Sequence, residues 1–242
     1  MPSLRPPMNT AASASSVTFH VPPQSVRWRR LWLAFMLLGL ALSGAVASVL
    51  PVSAGWENGL LEDSQVVLLL GGACMAVLVA CGRMAGPVAK GLALASAPVW
   101  CLMAARELSW GAALLPPIGF SAEGPVYSSS VLWYKPAVAP LALLVLAWCA
   151  WVLLRSRVLQ AVPALLRSRQ FAWPELAVLL LAAALSTYAE GHLGIPVAGF
   201  LQGRAVVVEE WAELFAYLAL VAAQWQVLLL LWNAGDRRQP LS

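Results

Sequence analysis

Residues 206–232 read VVVEEWAELFAYLALVAAQWQVLLLLW, and this stretch decides the class of fold. After Glu213 it contains no charged residue, and it is long enough to cross a bilayer, which takes about 20 apolar residues in a helix. Because backbone polar groups cannot stay unpaired in lipid, the stretch is predicted to be an α-helix. Its three glutamates, Glu209, Glu210 and Glu213, stand together at the beginning and place carboxylates near one membrane surface.

Five further apolar runs precede this one. They cover approximately residues 31–54, 65–81, 88–110, 136–154 and 174–190. The chain is 61% hydrophobic and only 11% charged, with a mean hydropathy of +0.77, whereas about 25% of residues are charged in a soluble domain. We therefore predict an all-α, polytopic membrane helix bundle with six transmembrane helices in residues 27–235. The lipid bilayer is its main partner, and residues 236–242 form a short cytoplasmic tail.

The positions of lysine and arginine predict the orientation of the helices. With the N-terminus in the cytoplasm, only Arg106, Lys135 and Arg204 of the fifteen basic residues fall on the outer side. Most acidic residues fall on that outer side: Glu57, Glu62, Asp63, Glu107, Glu123, Glu190, Glu209, Glu210 and Glu213. We expect a multi-pass protein of a bacterial inner membrane with both termini in the cytoplasm. Basic residues dispersed between apolar runs are not typical of nucleic-acid binding.

The first apolar run has a second interpretation, as a cleavable signal peptide. Three arginines within residues 27–30 would form its basic beginning, and Ala45-Val46-Ala47 would be its cleavage site. Cleavage would leave five spans. Residues 1–26, rich in Pro, Ser and Ala, are expected to be a disordered cytoplasmic tail because they lack any periodicity.

The longest outer connection covers residues 112–135. It contains Pro116-Pro117, Gly119 and Gly124-Pro125. This composition fits either a loop that caps or re-enters the outer face, or a solvated hairpin between two spans.

Ionisable residues concentrate at the outer ends of the third, fifth and sixth helices, where charge is costly and often functional. The candidate site residues are Arg106, Glu107, Glu190, His192, Arg204, Glu209, Glu210, Glu213 and Tyr217. We predict that they form an outward-facing pocket lined by carboxylates. The expected counter-charges are Arg106, Arg204 or His192.

A polar stripe on the sixth helix supports this pocket. Its members recur at helical spacing: Glu210, Glu213, Tyr217 and Gln224. Such a stripe is expected to face other helices, because lipid would leave each polar group unpaired.

Closely packed carboxylates cannot all be ionised cheaply, which leaves three possibilities. The cluster can hold a proton, pair with arginine, or bind a hard cation such as Ca²⁺ or Mg²⁺ through Glu107, Glu210 and Glu213. Zinc is disfavoured because His192 is the only histidine near the cluster. The alternative is a structural cluster, in which arginines neutralise some carboxylates and Glu209 lies in water near the helix N-terminus.

Three short segments resemble motifs of a group of uncharacterised bacterial integral membrane proteins. They are Trp-Glu-Asn-Gly-Leu-Leu-Glu (56–62), Arg-Glu-Leu-Ser-Trp-Gly (106–111) and Glu-Glu-Trp-Ala-Glu (209–213). The group carries an acidic-Gly-x-x-Glu, a Glu-x-Ser-Trp-Gly and a Glu-Glu-x-x-Glu motif in the same order. A glutamine often follows its Ser-Trp-Gly, where this chain has Ala112. The resemblance points to Glu62, Glu107, Glu210 and Glu213 and implies no activity.

Three functional hypotheses remain open at this point. The first is binding or translocation of a proton or small cation, with Glu107, Glu210 and Glu213 as the central groups. The second is a membrane-embedded enzyme acting on a lipid or lipid-linked substrate at the outer leaflet. In it Glu107 or Glu210 would be the general base, and Arg106 or Arg204 would hold a head group. The third is a non-catalytic membrane scaffold.

Overall fold

The computed structural model describes residues 23–121, 124–196, 199 and 203–236, and it is mostly helical (78%). Its α-helices are α1 (Pro23–Ala41), α2 (Ser43–Val49), α3 (Leu60–Cys81), α4 (Pro87–Glu107), α5 (Lys135–Arg155), α6 (Val158–Arg167), α7 (Trp173–Ala189) and α8 (Ala205–Asp236). A small antiparallel hairpin, β1 (Gly119–Ser121) and β2 (Gly124–Val126), interrupts the connection between α4 and α5. The prediction of an all-α fold is confirmed.

Four segments are long and apolar enough to cross a membrane. They are Val52–Cys81, Pro87–Glu107, Lys135–Arg155 and Ala205–Asn233. Helices α1 and α2 together form a fifth candidate, and they are bent by 60° at the break between them. The 17-residue helix α7 is apolar but shorter than these.

The boundaries differ from the predicted ones mainly in the first run. A continuous helix over residues 31–54 was the expectation, but α1 ends at Ala41 and a bend at Leu42 separates it from α2. Helix α1 also begins at Pro23, inside the segment expected to be a disordered tail, because Pro is well accommodated in a first helical turn. The rest of that tail and residues 237–242 lie outside the described residues.

Helix α8 is the centre of the bundle. One side packs on α1 and α7 through a buried cluster that includes Met36, Val178 and Phe215. The other side packs on α3 and α4 through Leu69, Trp100 and Tyr217. Small residues allow these close contacts, since a methyl group added at Gly39 would lie 2.1 Å from the ring of Phe215.

The bundle has two chemically different ends. At the end called here the acidic end, α2 and α4 finish while α3 and α8 begin. Arg204, just before α8, contacts the last carbonyls of α2 there. At the opposite, basic end, α1 and α7 begin and α3 and α8 finish, and Trp232 lies beside Gly82.

Helix α5 lies at the periphery and packs chiefly on α4, through Cys149 and Val152. Its remaining surface exposes a row of large apolar side chains, including Leu141, Leu143 and Leu144. Such a surface is unfavourable in water and fits contact with lipid.

Candidate functional site

Four glutamates from three helices meet at the acidic end. Glu62 is on α3, Glu107 is the last residue of α4, and Glu210 and Glu213 are on α8. Coulombic interactions join Glu62 to Glu107 and Glu210, and join Glu213 to Glu107 and Glu210. Glu62 is 8% exposed and the side chain of Glu107 is 10% exposed, so this carboxylate cluster is largely withdrawn from solvent.

Glu62 is positioned by the turn that precedes α3. Asn58 adopts a left-handed conformation (φ 60°), and its backbone N–H donates to Oε2 of Glu62. A glutamate at the third helical position that reaches back to a free N–H resembles half of a capping box. The turn therefore holds the Glu62 carboxylate against the beginning of its own helix, and the helix dipole favours a negative charge at this point.

Gln65, which was not among the predicted site residues, lies beside the cluster one turn further along α3. Its side chain is fully buried (0% exposed). Nε2 donates to Oε2 of Glu210 at 2.8 Å and to the Glu210 carbonyl at 3.0 Å. Oε1 has no hydrogen-bond partner among the described residues.

The predicted polar stripe on α8 contacts other helices along its length. Glu213 accepts a hydrogen bond from Ser186 Oγ of α7 at 3.2 Å. The hydroxyl of Tyr217 donates to Oε1 of Glu107 at 2.7 Å. One face of α8 thus connects α7 with α4.

The lower part of the stripe is Gln224, whose side chain joins α8 to α3 and α4. It accepts a hydrogen bond from Trp100 Nε1 and donates to the carbonyl of Gly72 at 3.3 Å. About 10 Å of helix separates Gln224 from Tyr217 at 1.5 Å per residue. The side chains of Leu220 and Val221 in this interval pack into an apolar cluster.

Two of the three expected counter-charges lie beside a predicted site carboxylate, Arg106 beside Glu107 and His192 beside Glu190. Arg106 Nη1 lies 3.5 Å from Glu107 Oε1, but the arginine side chain is 72% exposed. Arg204 donates from Nη1 to the carbonyls of Ala47 at 2.5 Å and Leu50 at 3.0 Å, and so caps the end of α2. Arg204 was one of three alternative counter-charges, and that role stays a prediction.

Glu190 and His192 form an exposed pair beyond the end of α7, and Glu190 also interacts electrostatically with Glu213. His192 Nδ1 lies 2.8 Å from Glu190 Oε2, and the two side chains are 68% and 44% exposed. Surface pairs of this kind contribute little to stability. Glu209 is half-buried at the beginning of α8, adjacent in sequence to Glu210.

The Ser-Trp-Gly segment after Glu107 forms a sharp left-handed turn. Ser109, Trp110 and Gly111 have φ values of 46°, 60° and 101°. Such values are unusual for tryptophan, and they persist where surrounding contacts impose them. Here the Tyr134 hydroxyl donates to the Trp110 carbonyl at 2.8 Å. The turn ends α4 directly after the Glu107 carboxylate.

The connection between α4 and α5 is docked against the segment before α3. The Tyr127 N–H donates to Glu57 Oε2 at 2.9 Å, and Gly124 lies against the ring of Trp56. Gly124 has φ 116°, and a Cβ there would be 2.5 Å from the indole, so this contact requires glycine. The loop contains a short hairpin, and both interpretations, a capping or re-entrant loop and a solvated hairpin between spans, stay predictions. Glu123 lies outside the described residues.

A buried ion pair at the basic end was also not predicted. Arg29 donates to both carboxylate oxygens of Glu175, from Nε and from Nη2, at 2.6 Å each. The same guanidinium donates to the carbonyls of Phe171 at 2.8 Å and Gln170 at 3.1 Å. Glu175 is 2% exposed and is therefore both buried and fully paired.

Unlike the ion pair of Arg29 and Glu175, the carboxylate cluster has little positive charge beside it. If all four glutamates were ionised, their negative charges would need to be balanced. Among the described residues, Arg106 is the cation within ion-pair distance of the cluster, and its side chain is mostly exposed to solvent. An unpaired buried charge costs several kcal/mol, on the order of the stability of a whole domain. A proton or a bound cation would lower this cost, and solvent screens the half-buried Glu210 and Glu213 in part.

The described residues do not place three or more His, Cys, Asp or Glu side chains where they could hold a metal ion. Comparisons of the chain with protein-family models, with curated proteins and with solved structures find no match.

Proposed function

We propose that the carboxylate cluster binds protons and exchanges them with the outer side of a membrane. In this proposal Glu107, Glu210 and Glu213 are the central groups, and Glu62 shares their charge. A proton balances a buried carboxylate without the several oxygen ligands that a divalent cation requires. The arrangement of the described acidic residues therefore favours a proton over Ca²⁺ or Mg²⁺ as the bound cation.

The observation that carries the proposal is the unpaired Oε1 of Gln65. A buried acceptor without a donor costs about 1–3 kcal/mol. An ionised glutamate has no hydrogen to offer, whereas a protonated one is an O–H donor. A proton on a neighbouring carboxyl group would therefore satisfy Gln65 and remove one negative charge from the cluster at the same time.

We further propose that the chain crosses a bacterial inner membrane six times, with both termini in the cytoplasm. This counts the bent pair α1–α2 and the short helix α7 as spans in addition to the four longer ones. The distribution of arginine supports the orientation, since the basic end would face the cytoplasm. The carboxylate cluster would then lie near the outer surface.

Reporter fusions test this orientation. Alkaline phosphatase is active only outside the cytoplasm, and we expect activity for fusions after residues 120 and 195. Alkaline phosphatase fusions after residues 84 and 169 should be inactive. Green fluorescent protein fusions after the same two residues should be fluorescent. Activity after residue 84 would reverse the orientation and place the carboxylate cluster on the cytoplasmic side.

Infrared difference spectroscopy tests the proton site directly. Purified protein in lipid vesicles should give a carbonyl band of a protonated carboxyl group that responds to pH and shifts in D₂O. We expect Glu210→Gln to remove much of this band. Glu190→Gln is the matched control, because it deletes an exposed carboxylate at the same end, and it should leave the buried-carboxyl band intact.

A flux measurement then separates proton binding from translocation. Vesicles with an entrapped pH dye and a potassium diffusion potential report whether protons cross the membrane. Flux that exceeds that of empty vesicles, and that Glu210→Gln abolishes, would establish translocation. A buried-carboxyl band without flux would restrict the function to proton binding, and identical bands in wild type and Glu210→Gln would refute the proposal.

A further inference from the structure

Two cavities at the basic end share a wall. The larger, of about 580 Å³, lies between α1, α3 and α8, and its lining is predominantly apolar. The smaller, of about 270 Å³, lies between the beginning of α1 and the segment before α7. Ser25, Arg29 and Gln226 line both, so the cavities adjoin at the level of the buried ion pair.

The smaller cavity is positively charged. Arg30 of α1 and Arg169 of the segment before α7 both line it. Arg29 is already paired with Glu175, whereas Arg30 and Arg169 make no hydrogen bond or ion pair within the described part of the chain. Two arginines from separate elements, both free to donate, can together bind a phosphate group.

A glutamine, Gln170, also borders this cavity. Its side-chain Oε1 is covered by protein atoms, so a ligand in the cavity does not reach that oxygen. The charged groups that remain accessible are the two arginines, and the smaller cavity therefore suits a head group that carries a negative phosphate.

The larger cavity continues from this level toward the middle of the bundle. It is lined by Trp28, Trp32 and Met36 on α1, by Leu68 and Met75 on α3, and by Trp225 on α8. Arg29 and Met36 are seven residues apart, so the cavity descends about 10 Å along α1. Its volume falls in the range of about 300–1,000 Å³ typical of ligand pockets.

The two cavities together are polar and basic at the end of the bundle and apolar deeper inside. We propose that they hold one anionic phospholipid. Its phosphate lies between Arg30 and Arg169, and one acyl chain occupies the cavity between α1 and α3. This site is independent of the carboxylate cluster at the other end and does not rest on the proposed proton binding.

Native mass spectrometry of the intact protein, released from detergent micelles, tests the site. We expect one phosphatidylglycerol molecule to bind more tightly than phosphatidylcholine with the same acyl chains. Arg30→Gln with Arg169→Gln should weaken phosphatidylglycerol binding by roughly 10- to 30-fold, because it removes the charge-assisted hydrogen bonds of both arginines to the phosphate. Phosphatidylcholine binding should change little in this variant.

Arg155→Gln with Arg157→Gln is the matched control, since it removes the same charge near the same end without lining either cavity. It should retain the wild-type affinity for phosphatidylglycerol. An equal loss in both double variants would reduce the effect to general surface charge and overturn the site. Equal affinity for the two lipids, or displacement of phosphatidylglycerol by inorganic phosphate alone, would also contradict it.

Discussion

Glu175 and Glu210 are buried or half-buried glutamates at opposite ends of the same bundle, and their surroundings differ in kind. At the basic end, Glu175 receives two hydrogen bonds of 2.6 Å from Arg29, whose remaining donors bind carbonyls. At the acidic end, Glu210 has the neutral amide of Gln65 as its side-chain partner and other glutamates as electrostatic neighbours.

This difference separates a structural charge from a candidate functional one. When an arginine binds a carboxylate through two hydrogen bonds, its positive charge balances the negative charge, so no proton is required for that purpose. A buried carboxylate whose neighbours are other carboxylates is neutralised when it binds a proton or a cation from solution. The two ends should therefore respond in opposite ways when a single charge is removed.

The largest effect is expected at the basic end. Arg29→Met should destabilise the protein by about 3–5 kcal/mol, because it leaves Glu175 charged and buried without its partner. It also removes donors from the carbonyls of Phe171 and Gln170. Unfolding in mixed detergent micelles, followed by tryptophan fluorescence or circular dichroism, measures this loss.

Two further variants test whether the unpaired charge of Glu175 causes this loss of stability. Arg27→Met removes an exposed arginine from the same helix turn and should change the stability by less than about 0.5 kcal/mol. Arg29→Met combined with Glu175→Met should recover most of the lost stability, because two apolar side chains replace both charges. A double variant as unstable as Arg29→Met would mean that lost packing, and not the unpaired charge, caused the effect.

At the acidic end, the hydrogen bond from Tyr217 to Glu107 should give the next largest effect. Tyr217→Phe removes the 2.7 Å contact and should cost about 1.5–3 kcal/mol, the range for a hydrogen bond to a charged group. The same unfolding measurement applies. A cost near zero would indicate that Glu107 is satisfied by other donors and does not depend on α8.

Sequence periodicity and composition predicted much of this architecture, because apolar run length and the spacing of polar residues are local properties. Each of the six predicted runs is helical, and the stripe of Glu210, Glu213 and Tyr217 contacts neighbouring helices as expected. The break at Leu42 was not predictable from run length, since the run remains apolar through it.

Pairings between distant residues were the part that the sequence did not reveal. Arg29 and Glu175 are 146 positions apart, and neither is unusual in its own segment. Arg204 was one of three possible counter-charges, and its hydrogen bonds to the carbonyls at the end of α2 had no signal in the sequence. Gln65 escaped notice because a single glutamine in an apolar helix carries no periodic signal.

The difference between Glu175 and Glu210 also predicts a variant that is more stable than the wild type. Glu210→Gln should raise stability by about 1 kcal/mol, because it removes a desolvated carboxylate that has no arginine partner. The new amide keeps an acceptor for Gln65 Nε2, and its NH₂ group takes the place of the proposed carboxyl proton as a donor, which ionisation cannot remove. Unfolding in detergent near neutral pH measures the change, and the same variant should lose the infrared band of the protonated carboxyl group.

A gain in stability with a loss of proton binding would identify the carboxylate as a group kept for function at a cost to stability. If Glu210→Gln were instead destabilising by more than about 1 kcal/mol, Glu210 would resemble Glu175, with a compensated charge that holds the helices together.

The smallest effect is expected at Glu190, which lies at the acidic end but outside the carboxylate cluster. Glu190→Gln deletes the same charge as Glu210→Gln, yet Glu190 is 44% exposed and its partner His192 is more exposed still. Surface pairs contribute about 0–1 kcal/mol, so the unfolding free energy should change by no more than that. Parallel unfolding of the two variants decides between two causes. If both were stabilised equally, relief of general negative charge at this end would explain the gain. If only Glu210→Gln were stabilised, the cause would be burial without a compensating cation.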